Sequence, residues 1–212
     1  MKVFEIITEA EARVLDIGST VELARGGVIT PLAKDTLASR RVTVVAAGTT
    51  DASLPLDLAP PADIRRVTVG SDHSGLALKR TLVQSLRSRG LSVLDVGTDS
   101  ADPVDYPDIA AAVATSVARR EADAGIVIDG AGIGSAIAAN KIKGIRAAMC
   151  LDETTARYSR EHNGANVLAL GASLVAGPEA ALRIVDVWLG TPMREARYIR
   201  RLLKIRQLEE RP

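Results

Sequence analysis

Short apolar runs alternate with longer amphipathic segments from residue 66 onward. The runs predict buried strands, and apolar residues at helical spacing, such as Leu78, Leu82 and Leu86, predict helices. The predicted strands are Val67–Gly70, Ser92–Val96, Gly125–Asp129, Arg146–Cys150 and Asn166–Leu170. The predicted helices are Leu76–Arg89, Pro107–Arg120, Gly134–Lys141, Thr154–His162, Glu179–Leu189 and Met193–Glu210. This alternation predicts an α/β fold, in which a mostly parallel sheet carries helices on both faces.

The first 50 residues have a separate pattern of short elements. Three stretches are strand-like: Val3–Ile7, Thr20–Ala24 and Val42–Ala46. Thr8 and Glu11 match a capping box, and Thr30-Pro31 matches the start of a helix that runs to about Arg40. Gly26-Gly27 predicts a turn after the second strand. We therefore expect a small N-terminal α+β domain over residues 1–50.

Residues 51–64 are rich in proline and small side chains, which is typical of a linker. The predicted organisation is thus an N-terminal domain over residues 1–50, a linker over 51–64 and a larger domain over 65–212. That length is sufficient for one α/β domain with a small appendage.

The amino-acid composition argues against several classes of function and location. The net charge of +1 and the aromatic content of 2% argue against a nucleic-acid partner. Cys150 is the only cysteine, which excludes an internal disulfide or a thiolate metal cluster and fits a reducing compartment. The first residues lack the apolar core of a signal peptide, and no run approaches the length of a membrane span. We expect a cytoplasmic protein with no membrane partner.

The third predicted strand of the larger domain ends in Asp129 and leads into a glycine loop. Gly130, Gly132 and Gly134 alternate there before a predicted helix, an arrangement that presents backbone N–H groups to a phosphate or an oxyanion. Asp129 beside such groups can take a proton from carbon next to a carbonyl, although a helix cap is the alternative. Ser135 stands where a dinucleotide fingerprint has its third glycine, so that interpretation is weak.

Other polar residues flank the predicted strands. Asp72 and His73 follow the first strand, and His162 precedes the fifth; we expect both histidines at one face, with a capping or buried structural role as the alternative. Arg197 and Arg201 are four residues apart on the last helix, so they share a face and can hold one phosphate. A solvated basic surface is the alternative for the other cations of that helix.

Residues 66–206 resemble the ribose-5-phosphate isomerase B and galactose-6-phosphate isomerase family. The matching segments are Gly70-Ser71-Asp72-His73-Ser74-Gly75, Asp95-Val96-Gly97-Thr98, Asp105-Tyr106-Pro107-Asp108, Gly130-Ala131-Gly132-Ile133-Gly134, Ile137-Ala138-Ala139-Asn140-Lys141, Ser159-Arg160-Glu161-His162-Asn163 and Ile184-Val185-Asp186-Val187-Trp188-Leu189. The resemblance implies a Rossmann-like three-layer α/β/α sandwich with a parallel five-stranded sheet. It also implies a homodimer, with a tetramer as the alternative, that interconverts an aldose phosphate and a ketose phosphate through an enediolate without metal or cofactor.

The same resemblance implies roles for individual residues. Asp72 and His73 belong to the substrate site, Tyr106 lies near the sugar, and His162 acts in sugar binding or ring opening. Asn163 contacts hydroxyl or enediolate oxygens. The anion hole corresponds to Gly130, Ala131, Gly132, Ile133 and Gly134. Phosphate would be held by Arg197 and Arg201 on a C-terminal helix that reaches across the dimer.

Four positions depart from the family pattern. Asp129 stands where the commonest base is a cysteine, and Ser135 stands where another branch has a glutamate. Ala131 replaces a threonine that aids ring opening, which favours a substrate that is acyclic or opens by itself, such as a tetrose phosphate. Ser173 replaces an arginine that some members use for phosphate.

The N-terminal segment resembles a different group. Ile6-Ile7-Thr8-Glu9-Ala10, the stretch from Val28 to Leu37 and Arg41-Val42-Thr43-Val44 look like the leading segment of ethanolamine-utilisation cobalamin adenosyltransferases. Similar segments precede other enzymes of bacterial microcompartments. The resemblance implies shell or enzyme partners for residues 1–50 and a location inside a microcompartment; a stabilising or oligomerising extension is the alternative.

The sequence thus predicts an aldose–ketose isomerase that acts on a phosphorylated sugar of the ribose 5-phosphate and ribulose 5-phosphate type, or on a tetrose phosphate, with Asp129 as the general base. Asp72 and His162 are the other predicted catalytic residues. The competing hypothesis is a non-catalytic protein that binds sugar phosphates or assembles a microcompartment.

Overall fold

A computed structural model describes residues 3–46 and 58–210. The chain divides into two compact units, which contain residues up to 55 and residues from 56 onward. Across the described ranges, no helix is both long and apolar enough to cross a membrane.

The N-terminal unit alternates strands and helices. Its elements are β1 (Val3–Ile7), α1 (Glu9–Val14), β2 (Thr20–Ile29), α2 (Pro31–Ser39) and β3 (Thr43–Ala46). Its three strands form a second parallel sheet in the order β1-β2-β3. Phe4, Ile7, Val21 and Leu37 pack in its core, and Thr8 with Glu11 forms the expected capping box at the start of α1.

The turn predicted at Gly26-Gly27 is wrong, because β2 continues through both glycines to Ile29. The pairing explains how. Phe4 pairs with Leu23 and Ile6 pairs with Val28, so β2 accommodates extra residues in a bulge. Gly26 takes φ +83°, a left-handed conformation that glycine adopts without steric cost. A glycine pair therefore marks a bulge here and not the end of the strand.

The larger unit contains five parallel strands in the order β5-β4-β6-β8-β7. They are β4 (Arg66–Ser71), β5 (Ser92–Asp95), β6 (Ala124–Asp129), β7 (Ala147–Met149) and β8 (Val167–Gly171). The helices are α3 (Leu76–Ser88), α4 (Tyr106–Ala118), α5 (Ile133–Ala139), α6 (Glu153–Glu161), α7 (Gly177–Gly190) and α8 (Ala196–Glu209). The predicted α/β fold and five-stranded parallel sheet are confirmed.

Two apolar layers cover the two faces of this sheet. On one face, Ile126 and Ile128 of β6 pack with Leu82 of α3 and with Ile184 and Trp188 of α7. On the other face, the core combines alternate strand residues with side chains of α4 and α5: Val127, Val167, Ala169, Ala110, Val113, Ala136 and Ala139. Because strand side chains alternate between faces, consecutive apolar residues of β6 serve both layers.

Arg160 joins three loops at the edge of the sheet where the strands begin. It is 1% exposed. Its guanidinium donates to the carbonyl oxygens of Ala165 at 2.9 Å, Pro61 at 3.1 Å and Thr191 at 3.3 Å, and it stacks on Trp188. Burial, together with the positive charge of nearby Arg146, lowers the pKa of Arg160 to about 10. The segment that precedes β4 is thus attached to the larger unit by a buried cation.

Candidate active site

The carboxyl ends of β4, β6 and β8 lie side by side. Ser71 pairs with Ile128, and Asp129 pairs with Gly171. The amide of Asp72 donates to the carbonyl oxygen of Ile128 at 3.2 Å. Parallel sheets bind ligands beyond this edge, which is called the carboxyl edge below. Two carboxylates, Asp72 and Asp129, therefore stand on neighbouring strands at the position where a ligand is expected.

Asp129 is 5% exposed and accepts four hydrogen bonds. Its Oδ1 accepts from the amide of Ala131 at 2.7 Å and from the amide of Gly132. Its Oδ2 accepts from the amide of Ser135 at 3.0 Å and from the hydroxyl of the same serine. A carboxylate has about four lone-pair sites, so each of them already has a donor. Asp129 consequently determines the course of the glycine loop and the start of α5.

The same contacts set the charge of Asp129. Burial alone would raise its pKa, but the hydrogen bonds from the Ser135 hydroxyl and from the amides of Gly132, Ser135 and Ala131 outweigh burial and lower the pKa below its ordinary value. Asp129 is therefore ionised at neutral pH. A carboxylate stabilised in this way is a weaker base than a solvated one, unless one of its donors is released.

The remaining amides of the loop form the part that can receive an anion. Within the described residues, no acceptor binds the amides of Gly130, Ile133 or Gly134. Gly132 has φ +76°, which turns the chain so that the next amides emerge at the start of α5. The ring of Tyr106 lies where a Cβ on Gly134 would stand, 2.6 Å from its nearest ring atoms. Tyr106 therefore lies beside these amides.

Asp72 and His73 form the second part of this edge. The Oδ1 of Asp72 accepts from the hydroxyl of Ser74 at 2.6 Å and from the amides of Ser74 and Gly75. No donor in the described chain reaches its Oδ2, which leaves one oxygen for a ligand. Nδ1 of His73 accepts from the amide of Val104 at 3.3 Å, which in the neutral ring assigns the proton to Nε2.

The other predicted site residues lie at the opposite edge of the sheet, called the amino edge below. His162 follows α6 and stacks between the rings of Tyr158 and Tyr198, with centroid distances of 4.7 and 4.6 Å. Nδ2 of Asn163 donates to the carbonyl oxygen of Tyr158 at 3.1 Å. Arg197 and Arg201 stand over the ring of Tyr198, at 4.7 and 5.4 Å from its centre. These four predicted residues form one compact group.

The expectation that both histidines share a face is wrong. His73 follows the carboxyl end of β4, whereas His162 precedes β8, whose first residue, Val167, pairs with Gly125 near the start of β6. Four residues of strand, roughly 13 Å, separate the level of Gly125 from that of Asp129. The cause is topological, because α6 runs back across the sheet and delivers its C-terminal end to the amino edge.

Sequence reasoning missed two contributions. Ser135 donates to Asp129 through both its amide and its hydroxyl, whereas the sequence marks it only as a serine at the position of a glycine in one motif and of a glutamate in another. Tyr158 and Tyr198 enclose His162, and one of them lies 36 residues away along the chain, so no local spacing signals the stack. Among the residues that the structure describes, no group of three or more His, Cys, Asp or Glu side chains is suited to a metal ion.

The fold and the carboxyl-edge site define a class of α/β proteins whose ligand site lies beyond the ends of parallel strands. The chain belongs to the Ribose/Galactose Isomerase family, whose profile matches residues 67–205. It is 45% identical over 148 residues to ribose-5-phosphate isomerase B of Escherichia coli strain K12, an alignment that covers 70% of this chain and 99% of that protein.

Two further proteins show how far the likeness extends. The structure of ribose-5-phosphate isomerase B from Clostridium thermocellum has 48% identity and a TM-score of 0.67, and the match covers 68% of this chain and 97% of that one. The enzyme from Mycoplasma genitalium, solved with bound ribulose-5-phosphate, has 37% identity and the same TM-score of 0.67, with coverage of 69% and 97%. The shared part is the larger unit.

Replacing Asp129 by Ala is expected to destabilise the larger unit, because three amides and a hydroxyl lose their acceptor. A buried donor without an acceptor costs about 1–3 kcal/mol, so the free energy of unfolding at pH 7 should decrease by about 3 kcal/mol. Because the pKa of Asp129 is lowered in the folded state, its contribution is complete above the unfolded value of about 3.9 and is lost as the pH falls through the folded value. Urea denaturation across this range measures both effects.

The exposed carboxylate of Asp108 provides the control. Asp108→Ala should change the free energy of unfolding by less than about 0.5 kcal/mol. A difference between wild type and Asp129→Ala that stays constant from pH 7 to pH 2 would show that the loop does not depend on the charge of Asp129.

Proposed function

We propose that the protein is an aldose–ketose isomerase that acts on a phosphorylated sugar. One observation carries the proposal: Asp129 stands beside the unbonded amides of Gly130, Ile133 and Gly134 at the carboxyl edge, in a chain of the Ribose/Galactose Isomerase family. A proton acceptor next to oxyanion donors is the arrangement that enolisation requires. The names of the relatives, among them ribose-5-phosphate isomerase B, support a sugar phosphate as the substrate.

The chemistry moves one carbon-bound proton and one hydroxyl proton. Asp129 takes the proton from C2 of the aldose, the electron pair forms the C1–C2 double bond, and the charge that develops on O1 is held by the amides. The unoccupied Oδ2 of Asp72 then transfers the O2 proton to O1. Asp129 returns its proton to C1, which yields the ketose with no net change in protons or electrons.

This route requires Asp129 to release one of its four donors. Three of these donors are backbone amides, which are fixed by the loop, whereas the fourth is the hydroxyl of Ser135, which can rotate about its side-chain bond. We therefore assign Ser135 as a positioning residue that exchanges its hydrogen bond when substrate arrives. Releasing this bond raises the proton affinity of Asp129 at the moment when the base is needed.

The separation of the predicted site residues into two groups supports a homodimer. One chain keeps Asp72, His73 and Asp129 at one edge of its sheet, and His162 and Arg201 at the other. We propose that the amino edge of a second copy completes each site and supplies the arginines for the phosphate. Exposed apolar side chains on α5 and α8 support such an interface: Ile133, Ile137, Ile205 and Leu208.

The absence of a hydroxyl at Ala131 favours a substrate that needs no help with ring opening. Among phosphorylated sugars, a tetrose phosphate cannot close the furanose ring through its phosphorylated O4, so the acyclic form is available to the enzyme. Ribose 5-phosphate remains the alternative supported by the names of the relatives. Relative kcat/KM values for tetrose, pentose and hexose phosphates separate the two.

For residues 1–50 we propose docking to microcompartment components. The N-terminal unit exposes apolar side chains that its own core does not use: Val3, Ile6, Val14, Ile17, Val28 and Leu32. A surface of this kind favours a protein partner over free solvent.

A non-catalytic sugar-phosphate binder is the second candidate. The observation in its favour is that all four acceptor positions of Asp129 are occupied, so the carboxylate also suits a purely structural role. In that case the carboxyl edge would bind a sugar phosphate without isomerising it.

Proton exchange in heavy water distinguishes these candidates. An isomerase should place deuterium on C1 or C2 of a ketose or aldose phosphate, detected by NMR, and Asp129→Asn should lower this rate by a factor of about 100 or more. Near-UV circular dichroism reports whether the variant keeps its fold. If no tetrose, pentose or hexose phosphate exchanges although one of them binds, the protein is a binder; if Asp129→Asn exchanges at the normal rate, another base operates.

Ser135→Ala tests whether Asp129 is the titrating base. Removing the hydroxyl removes a bond to the charged form, so the pKa of Asp129 rises and the acid limb of the pH profile of kcat/KM should move to higher pH. Ser173→Ala removes a hydroxyl at the same edge that is not bonded to Asp129, so its acid limb should not move. An unchanged limb in Ser135→Ala would contradict the assignment of Asp129 as base.

Hybrid dimers test the two-chain site. Asp72→Asn damages the carboxyl edge and Arg201→Gln damages the amino edge, so each variant alone should be nearly inactive. When the two chains are co-refolded at equal amounts, half of the dimers are hybrids with one intact site, and about a quarter of wild-type activity should return. A mixture of Asp72→Asn with Asp129→Asn, both damaged at the carboxyl edge, should recover none. No recovery in the first mixture would place the complete site within one chain.

A further inference from the structure

A cavity lies under the amino edge of the sheet, and neither Asp72 nor Asp129 of the same chain lines it. Its volume is about 460 Å³, which falls within the usual range for small-molecule sites. Its walls come from the segment that precedes β4, the end of α4, the loop between α5 and β7, and the last turns of α8. This space is called the amino-edge cavity.

Positive charge dominates the walls of the amino-edge cavity. Five cationic side chains line it, with one carboxylate: Arg66, Arg120, Lys143, Arg146, Arg206 and Asp123. Asp123 already forms an ion pair with Arg66 at 2.7 Å, and it also accepts hydrogen bonds from the backbone amides of residues 65 and 66. It is therefore not available to balance the other four cations.

Three of those cations have no carboxylate bound to them. Within the described ranges, Arg120 and Lys143 form neither a hydrogen bond nor an ion pair through their side chains. Among the residues that the structure describes, the side chain of Arg146 donates only to the carbonyl oxygens of Gly164 at 2.8 Å and Leu58 at 2.9 Å. Arg120 and Lys143 are exposed and Arg146 is half-buried, so solvent screens part of their mutual repulsion, and a bound anion offsets the part that remains.

The cavity is also built in advance of any ligand. The side chain of Asn166 holds the loop between α5 and β7 through two hydrogen bonds. Its Oδ1 accepts from the amide of Arg146 at 2.8 Å, and its Nδ2 donates to the carbonyl oxygen of Gly144 at 2.9 Å. The carboxylate of Glu209 in α8 accepts the amide of Gly144 at 3.1 Å. A site whose walls are fixed in this way loses little conformational entropy when a ligand binds.

The backbone conformation of Arg120 is a further indication of a ligand site. It has φ +60°, a left-handed conformation that costs roughly 1–2 kcal/mol in a residue with a Cβ and that glycine usually fills after a helix. An arginine at this position keeps the strain and adds a cation to the wall. Apolar groups complete the opposite wall: Leu58, Pro60, Pro61, Val117 and Ala122.

From this juxtaposition of unpaired cations and apolar wall, we propose that the amino-edge cavity binds a small phosphomonoester, separately from the substrate. The phosphate dianion lies against Arg120, Lys143 and Arg146, and the organic part lies on the prolines of the wall. Burial lowers the pKa of Arg146 while nearby Glu209 opposes the shift, as expected for a cation taken from water without a directly bound carboxylate.

Titration calorimetry on the full-length chain tests the site. The probes are inorganic phosphate and phenyl phosphate, and the site variant is Arg120→Gln with Lys143→Gln. The matched control is Arg119→Gln with Lys141→Gln, which removes the same charge from exposed neighbours outside the cavity. Turnover is not measured, so the result does not depend on the isomerase proposal.

The site variant should lose one equivalent of phenyl phosphate per chain, or bind it at least about tenfold more weakly, while the control binds like wild type. Phenyl phosphate should bind more tightly than inorganic phosphate, because only the ester reaches the apolar wall. If both double variants bound phenyl phosphate equally weakly, the loss would be an effect of net charge, and the proposed site would be wrong. Binding of phosphate alone, without phenyl phosphate, would overturn the assignment of an ester.

Discussion

The carboxylate of Asp129 is the constraint on which the candidate active site depends. Its four hydrogen bonds fix the glycine loop and the start of α5, and they leave three neighbouring amides unbonded. The four hydrogen bonds stabilise the charge of Asp129 and thereby hold the loop in the shape that exposes the other amides. The contacts that weaken Asp129 as a base are therefore also the contacts that position the unbonded amides.

The direction of the strands determines how the other residues are used. All five strands run the same way, so helices return to the amino edge, and α6 and α8 carry His162, Arg197 and Arg201 there. No rotation of a side chain moves these groups to Asp129. The proposed isomerase reaction at the carboxyl edge can use them only if a second copy supplies them. The proposed homodimer therefore rests on topology as well as on exposed apolar surface.

Periodicity was sufficient to predict the sheet, because β6 and β8 are short, continuous apolar runs and α3 repeats leucines at four-residue spacing. It also predicted Asp129 at the end of a strand. It failed where long-range contacts decide the outcome. The bulge at Gly26 depends on pairing with β1, the hydroxyl of Ser135 acts six residues from its acceptor, and the edge occupied by His162 depends on the direction of α6. The first two are not encoded in local spacing, whereas the edge of His162 follows from the parallel direction of the strands, because His162 precedes the last of them.

Part of the amino edge lies outside the region that the family profile matches. The family match covers residues 67–205, whereas Leu58, Pro61 and Arg206 lie outside it. Arg146 and Arg160 nevertheless reach the carbonyl oxygens of Leu58 and Pro61 from inside the matched region. Residues 58 and 61 are therefore held to the matched region by two cations, and their segment closes one wall of the amino-edge cavity. A chain limited to residues 67–205 would lack that wall.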